Sequence, residues 1–372
     1  MDNKTPFVSV FIKNTEDPSS FYRLNQYLER EKKCILFNYV NRRTYRWYYD
    51  RSCIRLFRIV KKLLFACVGS IRTLSYIVYD LCFLKSKIII VNRAIFPRIM
   101  PPFTTILLKR YFENRTVYWD FDDNIISDNE ITSKECNLLQ NYSKEIIVTN
   151  EFLRNTIAKE YQDKVVLLPT TDKEFCNYLV SEVNQTRLEV YEHNIVLVWI
   201  GTKNNLHYLR NILPEIKDAS NILYERTKKR IVLNVVSNAK LETDVAEYLQ
   251  ISNIPWTRER AIEHLKNAHI GLMPLEDDVY TRGKGGFKAI QYIGAGIPAI
   301  VSNVGFNSQV IENNVSGKLI NNQKEWIESI VLLASDKNVW EKYSQNARKK
   351  WEDDFNSITN LEFWLDRIID NK

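Results

Sequence analysis

The chain has 372 residues, of which 45% are hydrophobic and 26% are charged, and its formal net charge is +7. This length predicts two domains, and the composition is that of a globular protein rather than a disordered or fibrous one. A charge of +7 suits anionic small molecules or an acidic membrane surface, but it is too small to indicate nucleic acid as a partner.

Short apolar strands alternate with amphipathic helices through most of the chain, which is typical of a parallel α/β architecture. The first predicted series of strands is 7–12, 34–38, 87–91, 116–119, 145–148 and 164–168. The second series is 195–200, 230–236, 269–274, 299–302 and 318–320. Residues 183–193 lie between the two series and show no clear apolar period. We therefore predict two α/β domains, 1–185 and 186–372. The chain ends in helices, and the last of them is a candidate to cross back to the first domain.

Residues 41–86 form a basic and aromatic helical insert in the first domain. Its two apolar helices are predicted at 54–65 and 74–84. Lys and Arg interleaved with aromatic and leucine side chains at helical spacing are typical of a helix in a membrane interface. The alternative is an ordinary amphipathic helix that covers the sheet. Neither apolar run reaches the ~18 residues of a spanning helix, so we expect no transmembrane segment.

Eight of the ten glycines lie between Gly271 and Gly317, and this cluster marks a candidate site. The predicted strand 269–274 runs into a polar loop, which enters a helix through Gly283, Gly285 and Gly286. Glycine lets backbone N–H groups approach a ligand, and a helix N-terminus adds about half a positive charge. Three cations lie on the same stretch: Arg282, Lys284 and Lys288. The pattern predicts an anion site that suits phosphate groups.

A second candidate site follows strands of the first domain. Asp120, Asp122 and Asp123 end the strand at 116–119, and Arg93 follows the strand at 87–91. Loops at the carboxyl ends of parallel strands face the ligand crevice. Three carboxylates so close repel one another unless they are hydrogen-bonded, paired or metal-bound. We predict acceptor binding or acid/base assistance here, with Arg93 as partner of Asp122 or of an acceptor phosphate. Helix capping and loop hydrogen bonding are the alternative.

The chain resembles family 4 (group 1) glycosyltransferases of the GT-B fold. The resemblance is carried by residues 18–27, 90–97 with 117–123, 198–202 and 271–317. The last segment is the most specific, since it contains Thr281-Arg-Gly-Lys-Gly-Gly-Phe-Lys288 and the turn Ala295-Gly-Ile-Pro298. This family implies two Rossmann-like domains with parallel sheets facing a central cleft. The C-terminal domain would bind a nucleotide-sugar donor, and the N-terminal domain would bind the acceptor.

The resemblance implies a retaining enzyme that needs no metal and no cofactor beyond its nucleotide-diphosphate sugar. We expect a hexosyltransferase that transfers sugar to a glycan or lipid-linked acceptor in cell-surface polysaccharide synthesis. The expected catalytic residues are Arg282 and Lys288, which would clamp the diphosphate, and Asp122. The expected donor-binding residues are Gly201, Thr202, Lys203, Lys284, Gly285, Gly286, Phe287 and Gln291. The expected acceptor-binding residues are Arg23, Arg93, Asp120 and Asp123.

One departure from the family pattern concerns a pair of glutamates eight positions apart. Counted from the Ala295–Pro298 turn, their positions hold Gly283 and Gln291. Gln291 can still hydrogen-bond ribose hydroxyls. A carboxylate of the preceding loop could replace the first glutamate, from Glu276, Asp277 or Asp278. The missing charges put the donor sugar in doubt.

Two other functions stay open. A metal-dependent GT-A transferase would use Asp120 and Asp122 to hold Mn²⁺ or Mg²⁺ under the diphosphate. A catalytically degenerate domain would bind nucleotide or glycan as a scaffold.

The expected location is the cytoplasm, peripheral to the inner face of the cell membrane through residues 42–87. The six cysteines form no CxxC pair and do not cluster with the four histidines, so we expect reduced thiols and no zinc site. The N-terminal residues do not resemble a signal peptide.

Overall fold

The protein is described here by a computed structural model that covers residues 7–49, 55–96, 98–244 and 246–369. It divides into two compact units. Unit 1 takes the described residues up to Thr170 and those from Ile358 onward, and unit 2 is Thr171–Ser357. Residues 50–54 of the predicted insert lie outside the described residues.

The described part of unit 1 holds a six-stranded parallel sheet in the order β2-β1-β3-β4-β5-β6. Its strands are β1 (Val8–Ile12), β2 (Cys34–Asn38), β3 (Ile88–Asn92), β4 (Thr116–Phe121), β5 (Ser143–Val148) and β6 (Val165–Leu167). Central strands such as β1 and β3 are buried along their whole length. That burial explains why they are continuous apolar runs rather than alternating ones.

The described part of unit 2 holds a second six-stranded parallel sheet, in the order β12-β11-β10-β7-β8-β9. Its strands are β7 (Asn194–Gly201), β8 (Arg230–Ser237), β9 (Leu249–Pro255), β10 (Ile270–Met273), β11 (Ala299–Ser302) and β12 (Gly317–Ile320). The sequence did not predict β9. This strand is at the edge of the sheet, is largely exposed and carries polar residues, so it lacks the apolar run of a buried strand.

Helices connect the strands of both units. In chain order they are α1 (Pro18–Ser20), α2 (Gln26–Leu28), α3 (Arg42–Tyr49), α4 (Arg55–Tyr79), α5 (Thr104–Phe112), α6 (Ser133–Tyr142), α7 (Glu151–Arg154), α8 (Val180–Tyr191), α9 (Leu206–Asn211), α10 (Leu213–Thr227), α11 (Arg258–Lys266), α12 (Val279–Arg282), α13 (Phe287–Gly294), α14 (Asn307–Val310), α15 (Gln323–Ser335), α16 (Lys337–Asp354) and α17 (Ser357–Ile369). A π-helical segment, Phe21–Asn25, joins α1 to α2, and another, Asp80–Leu84, continues α4.

The two helices predicted at 54–65 and 74–84 are one continuous helix, α4 with its π-helical extension. Gly69 lies near the middle of α4, is buried and does not interrupt the helix. The segment Ile59–Leu84 is long and apolar enough to cross a membrane by length and composition, with a mean hydropathy of 1.3. The expectation that no segment reaches this length is therefore corrected. Only 28% of its most apolar stretch is buried.

Along the chain, unit 2 begins at Thr171, which is earlier than the predicted boundary at 185/186. The reason is α8, which occupies most of the segment between the two predicted series of strands. Its Arg187 is buried and donates hydrogen bonds to the backbone carbonyls of Leu265 (3.0 Å), Lys266 (2.9 Å) and Ala295 (2.9 Å). These bonds fix α8 to unit 2.

The last helix, α17, belongs to unit 1. Its Trp364 and Ile368 lie in the same hydrophobic cluster as strands β1 and β3. Trp364 Nε1 donates to the backbone carbonyl of Arg23 (3.1 Å), and Arg367 pairs with Glu145 (2.6 Å). Unit 1 is therefore made from both ends of the described chain.

Candidate functional site

The strand order of unit 2 reverses between β7 and β10. In open α/β sheets ligands bind outside the carboxyl ends of the strands at such a switch point. Here those ends are Gly201 and Met273. After β10 the chain passes through the short helix α12 and the glycine-rich loop into α13.

Tyr292 fixes α13 against this switch point. Its hydroxyl donates to the carbonyl of Leu272 (3.0 Å) on β10 and accepts from the backbone N–H of Ile200 (3.3 Å) on β7. Its ring covers Gly271, where any side chain would collide with it. The absence of a side chain at Gly271 thus lets α13 lie directly on the sheet.

The N-terminus of α13 begins at Gly286, which has φ of +63°. A Cβ at this position would come within 2.9 Å of Val310 Cγ2, so both the backbone angle and the space require glycine. Lys288, in the first turn, places its Nζ 5.7 Å from the centroid of the Trp199 ring. The same ring fills the space where Gly201 would carry a side chain. The structure therefore brings the predicted donor residues Gly201 and Lys288 to one place.

The other donor-side residues flank this point. The backbone N–H of Lys203 donates to Asn238 Oδ1 (2.7 Å), which orders the turn after Thr202. Lys284 Nζ lies 4.2 Å from the centroid of the Tyr280 ring. Gly285 and Phe287 lie on either side of Gly286.

Arg282 is placed differently from the prediction. Its guanidinium makes a two-pronged pair with Asp277, at 2.6 and 2.9 Å, and both side chains are more than half exposed. To clamp a diphosphate it would have to leave this partner. Because an exposed pair stabilises a fold by at most about 1 kcal/mol, that exchange costs little.

The three carboxylates considered as replacements for the missing glutamate have different surroundings. Asp278 caps α12 by accepting from the N–H of Thr281 (2.7 Å), and Asp277 holds Arg282. Glu276 accepts from Asn211 Nδ2 (2.7 Å) and lines a cavity of about 400 Å³. The cavity lining contains five amide side chains and neither lysine nor arginine. Its chemistry suits an uncharged hydroxylated group better than a phosphate.

Gln291 has a structural role that the prediction did not include. It is buried, and its amide donates to Asp172 Oδ2 (3.0 Å). Asp172 also accepts from Arg258 (3.0 Å) and from the N–H of Glu174 (3.1 Å). The amide is thus part of an internal network of unit 2.

In unit 1 the candidate residues also gather at a switch point, between β1 and β3. Asp120 is fully buried and binds the Nε of Arg23 (3.0 Å), its Nη2, and Asn92 Nδ2 (3.0 Å). Arg23 is also buried, and its backbone carbonyl receives the Trp364 indole. Asp120 and Arg23, predicted to bind acceptor, instead form an internal ion pair.

The exposure of Asp122 lies between that of its two neighbours. Its side chain is 17% exposed, whereas Asp120 is fully buried and the side chain of Asp123 is 41% exposed. Asp122 Oδ1 accepts from Ser19 Oγ (2.6 Å) and from Arg93 Nη1 (3.0 Å). Burial, and after it the neighbouring charge of Asp123, raise the pKa of Asp122 to about 6 against the opposing effect of Arg93. A carboxyl with this pKa changes its protonation state in the range where enzymes work.

Arg93 is surrounded by carboxylates. Besides Asp122 it binds Asp123 (3.0 Å) and Glu130 (3.0 Å). Its backbone has φ of +65°, a strained angle for a residue with a side chain. Since its guanidinium is shared by three acids, the structure supports pairing with Asp122 and not capture of an acceptor phosphate.

The structure gives no support to the GT-A alternative. Because Asp120 is already paired with Arg23, it is not available to coordinate a metal ion together with Asp122. Among the described residues, no group of three or more His, Cys, Asp or Glu side chains could hold a metal ion.

The sequence analysis did not identify several residues of the two sites. Trp199 and Tyr292 are buried aromatics, and Ser19 and Glu130 are polar residues of loops and helix starts. Each acts through a partner far away in sequence, such as Tyr292 on Ile200 or Ser19 on Asp122. No local signal marked them.

Residues 192–350 match the sequence profile of the family described as Glycosyl transferases group 1. This match covers most of unit 2 and includes the glycine-rich loop and Lys288. The match confirms the prediction that this protein is a glycosyltransferase. No protein of curated function matches the chain in sequence.

Solved structures match the whole chain in fold. The structure of HepE from Anabaena in complex with UDP and glucose has a TM-score of 0.62 and 8% identity, with 98% of this chain and 99% of that chain covered. A UDP-forming α,α-trehalose-phosphate synthase from Burkholderia xenovorans has a TM-score of 0.59 and 10% identity, with coverage of 99% and 100%. A glycosyltransferase from Rickettsia africae has a TM-score of 0.58 and 12% identity, with coverage of 99% and 100%.

These matches, together with the two parallel sheets, confirm the predicted fold. The chain is a glycosyltransferase with the GT-B fold, and its residues 192–350 match the group 1 family of these enzymes.

Proposed function

We propose that this protein is a retaining family 4 glycosyltransferase that moves a hexose from a nucleotide-diphosphate sugar to a glycan or lipid-linked acceptor. The observation that carries the proposal is the meeting of Gly201 and the start of α13 at the switch point of unit 2. Two segments far apart in sequence meet there and bring together Gly201, the N-terminus of α13 and the cation of Lys288. A nucleoside diphosphate is the ligand that fits this chemistry.

The donor site would act on the leaving group. When the sugar bond breaks, negative charge develops on the β-phosphate. The N-terminus of α13 and the ammonium of Lys288 are already in place, so they stabilise that charge without rearranging. UDP is the first nucleotide to test, since structures of the same fold hold UDP or form it.

Glu276 is the proposed contact for the donor sugar. It replaces the first missing glutamate from the loop that precedes α12. Its cavity carries amide groups and no lysine or arginine, and such groups suit sugar hydroxyls. Ribose recognition would then rest on groups other than the buried side chain of Gln291.

Asp122 is the proposed contact for the acceptor. Ser19 and Arg93 both bind its Oδ1, so Oδ2 is the oxygen that an acceptor hydroxyl would meet. An ionised Asp122 would accept the hydrogen bond of that hydroxyl and help remove its proton. Asp123 would lie beside the acceptor.

We also propose a peripheral location on the inner face of the cell membrane, in cell-surface polysaccharide synthesis. Support comes from the basic and aromatic composition of residues 42–87 and from the exposed apolar face of α4. A lipid-linked acceptor would be presented at that surface.

The test of the donor site is calorimetric titration with UDP, GDP, ADP and TDP, each with and without EDTA. We expect one nucleotide to bind clearly more tightly than the others and to bind equally well in EDTA. Binding that requires a divalent metal would contradict the metal-free mechanism. Absence of binding for all four would favour the scaffold function.

The pH dependence of transfer tests the role of Asp122. Because its pKa is about 6, we expect kcat/KM for the acceptor to fall as the pH drops through about 6, where the carboxylate takes up a proton. The variant Asp122→Asn should lose both this inflection and most of the activity. In Asp123→Asn the inflection should move to lower pH, because a charge that raises the pKa of Asp122 is removed. An unchanged profile in Asp122→Asn would exclude the carboxylate from the reaction.

A further inference from the structure

The outer face of α4 and its extension is largely apolar over residues 59–84, the part of this helix whose burial the structure describes. The exposed large apolar side chains are Ile59, Val60, Leu63, Leu64, Ile71, Val78, Tyr79 and Phe83. The smaller Cys67 and Ser75 are exposed in the gaps on either side of Ile71. Ile71 is 65% exposed and Phe83 is 74% exposed. A helix on the surface of a soluble domain usually presents the opposite pattern, with its polar residues facing water. An apolar stripe of this length marks an interaction surface.

The inner face of the same helix carries polar groups that are satisfied inside unit 1. Lys61 Nζ donates to the carbonyl of Trp47 (2.9 Å), and Thr73 Oγ1 donates to the carbonyl of Ile95 (2.9 Å). Asp80 accepts from the N–H of Ser86 (2.9 Å) and from the Tyr111 hydroxyl. A helix that crossed a bilayer would lose these partners and leave buried polar groups unsatisfied. The bonds therefore favour a helix that lies on a membrane.

A second element of unit 1 also exposes apolar side chains. Ile99, Phe103 and Ile106, at the start of α5, are also exposed, and Phe103 is 65% exposed. The far end of α5 touches the end of α4 through the Tyr111–Asp80 bond, and both helices share one hydrophobic cluster on the sheet. The sequence interpretation included α4 but not this part of α5.

The charge of this region identifies what covers the surface. Residues 42–112 contain fifteen lysines and arginines and only two acids, Asp50 and Asp80. The whole chain carries a net charge of +7, so the remaining residues are net negative. Exposed cations border the apolar side chains, among them Lys62, Lys85, Arg98, Lys109 and Arg110. Two copies of this face would repel each other, whereas anionic lipid headgroups attract each such cation.

We infer that α4 and the start of α5 together form a docking surface for an anionic bilayer, with α4 lying in the plane of the interface. Phe83 and Phe103 enter the boundary between headgroups and acyl chains, and the bordering lysines and arginines bind lipid phosphates. The inference deepens the proposed function, on whose membrane location it rests, and it does not depend on the donor nucleotide.

The test uses the full-length protein and sedimentation with vesicles of phosphatidylcholine, with or without phosphatidylglycerol. We expect retention on the anionic vesicles, weaker retention at high salt and little on phosphatidylcholine alone. The variant Phe83→Ser/Phe103→Ser should lower the partition coefficient by about tenfold or more, since two buried aromatic side chains are lost. The matched control is Val190→Ser/Leu332→Ser, which removes exposed apolar side chains of unit 2 and should bind as wild type.

Three outcomes would overturn the inference. If the protein does not bind anionic vesicles, it has no such docking surface. If the control variant loses as much binding as Phe83→Ser/Phe103→Ser, the docking surface is not formed by α4 and the start of α5. Retention after alkaline carbonate extraction would show that the helix spans the bilayer. Calorimetry with UDP on the same preparation separates the two proposals. Intact nucleotide binding without vesicle binding refutes only the membrane surface, whereas loss of nucleotide binding alone refutes the donor site.

Discussion

Lys288→Ala is expected to lower kcat by about 10²–10³-fold and to leave the fold intact. The lysine is the cation of the first turn of α13 that lies beside Gly201, where the diphosphate would sit. Removing one preorganised group opposite a developing negative charge typically costs this much. Because Lys288 is half-buried at the edge of the unit, the melting temperature should stay close to that of wild type. Steady-state kinetics and calorimetry with UDP measure the effect.

Lys284→Ala is the matched comparison, since it removes the same charge from the same loop. Its ammonium lies against the Tyr280 ring, so its loss should reduce turnover much less. Lys288→Arg, which keeps the charge, should recover part of the activity. Wild-type turnover in Lys288→Ala would refute the donor site, and equal losses in both alanine variants would show that only the summed charge of the loop matters.

Arg23→Met is expected to destabilise unit 1 by about 3–5 kcal/mol, because it leaves the buried carboxylate of Asp120 without its charged partner. Arg23 also donates to the carbonyl of Leu168, so the loss extends to the end of β6. Urea unfolding followed by intrinsic fluorescence measures the change. With two units in the chain, the transition of unit 1 must be fitted separately from that of unit 2.

The double variant Arg23→Met/Asp120→Leu decides whether the unpaired charge is the cause. With both partners gone, no buried charge remains, and part of the stability should return. Additive losses in the double variant would mean that the ion pair is not the source of the effect. Stability equal to wild type in Arg23→Met would show that Asp120 is not held by Arg23 in solution.

The sequence predicted most of the fold because buried parallel strands carry a strong local signal. In β3, for example, the first four residues are consecutive buried apolar side chains. The strand that was missed, β9, is at an edge and has no such run. The segment 183–193 showed no clear apolar period, since α8 is held partly by the buried polar side chain of Arg187 and its apolar contacts are divided between two hydrophobic clusters.

The candidate sites were predicted only in part. Glycines and cations close together in sequence pointed to the loop before α13, because its ligand groups are local. The partners of Asp120 and Gln291 are Arg23 and Asp172, which are distant in the chain. Whether a polar side chain faces a ligand or an internal partner depends on such contacts. Composition and spacing do not encode them.

The position of α17 has a consequence for how the protein is made. Unit 2 is continuous, so it can complete its core as soon as its own residues have left the ribosome. Unit 1 cannot, because Trp364 and Ile368 are the last parts of its hydrophobic cluster to be synthesised. Until then Leu24 and Ile90, which belong to the same cluster, lack these two apolar partners. A truncation that removes Trp364 and the residues after it would therefore harm unit 1 and leave unit 2 intact.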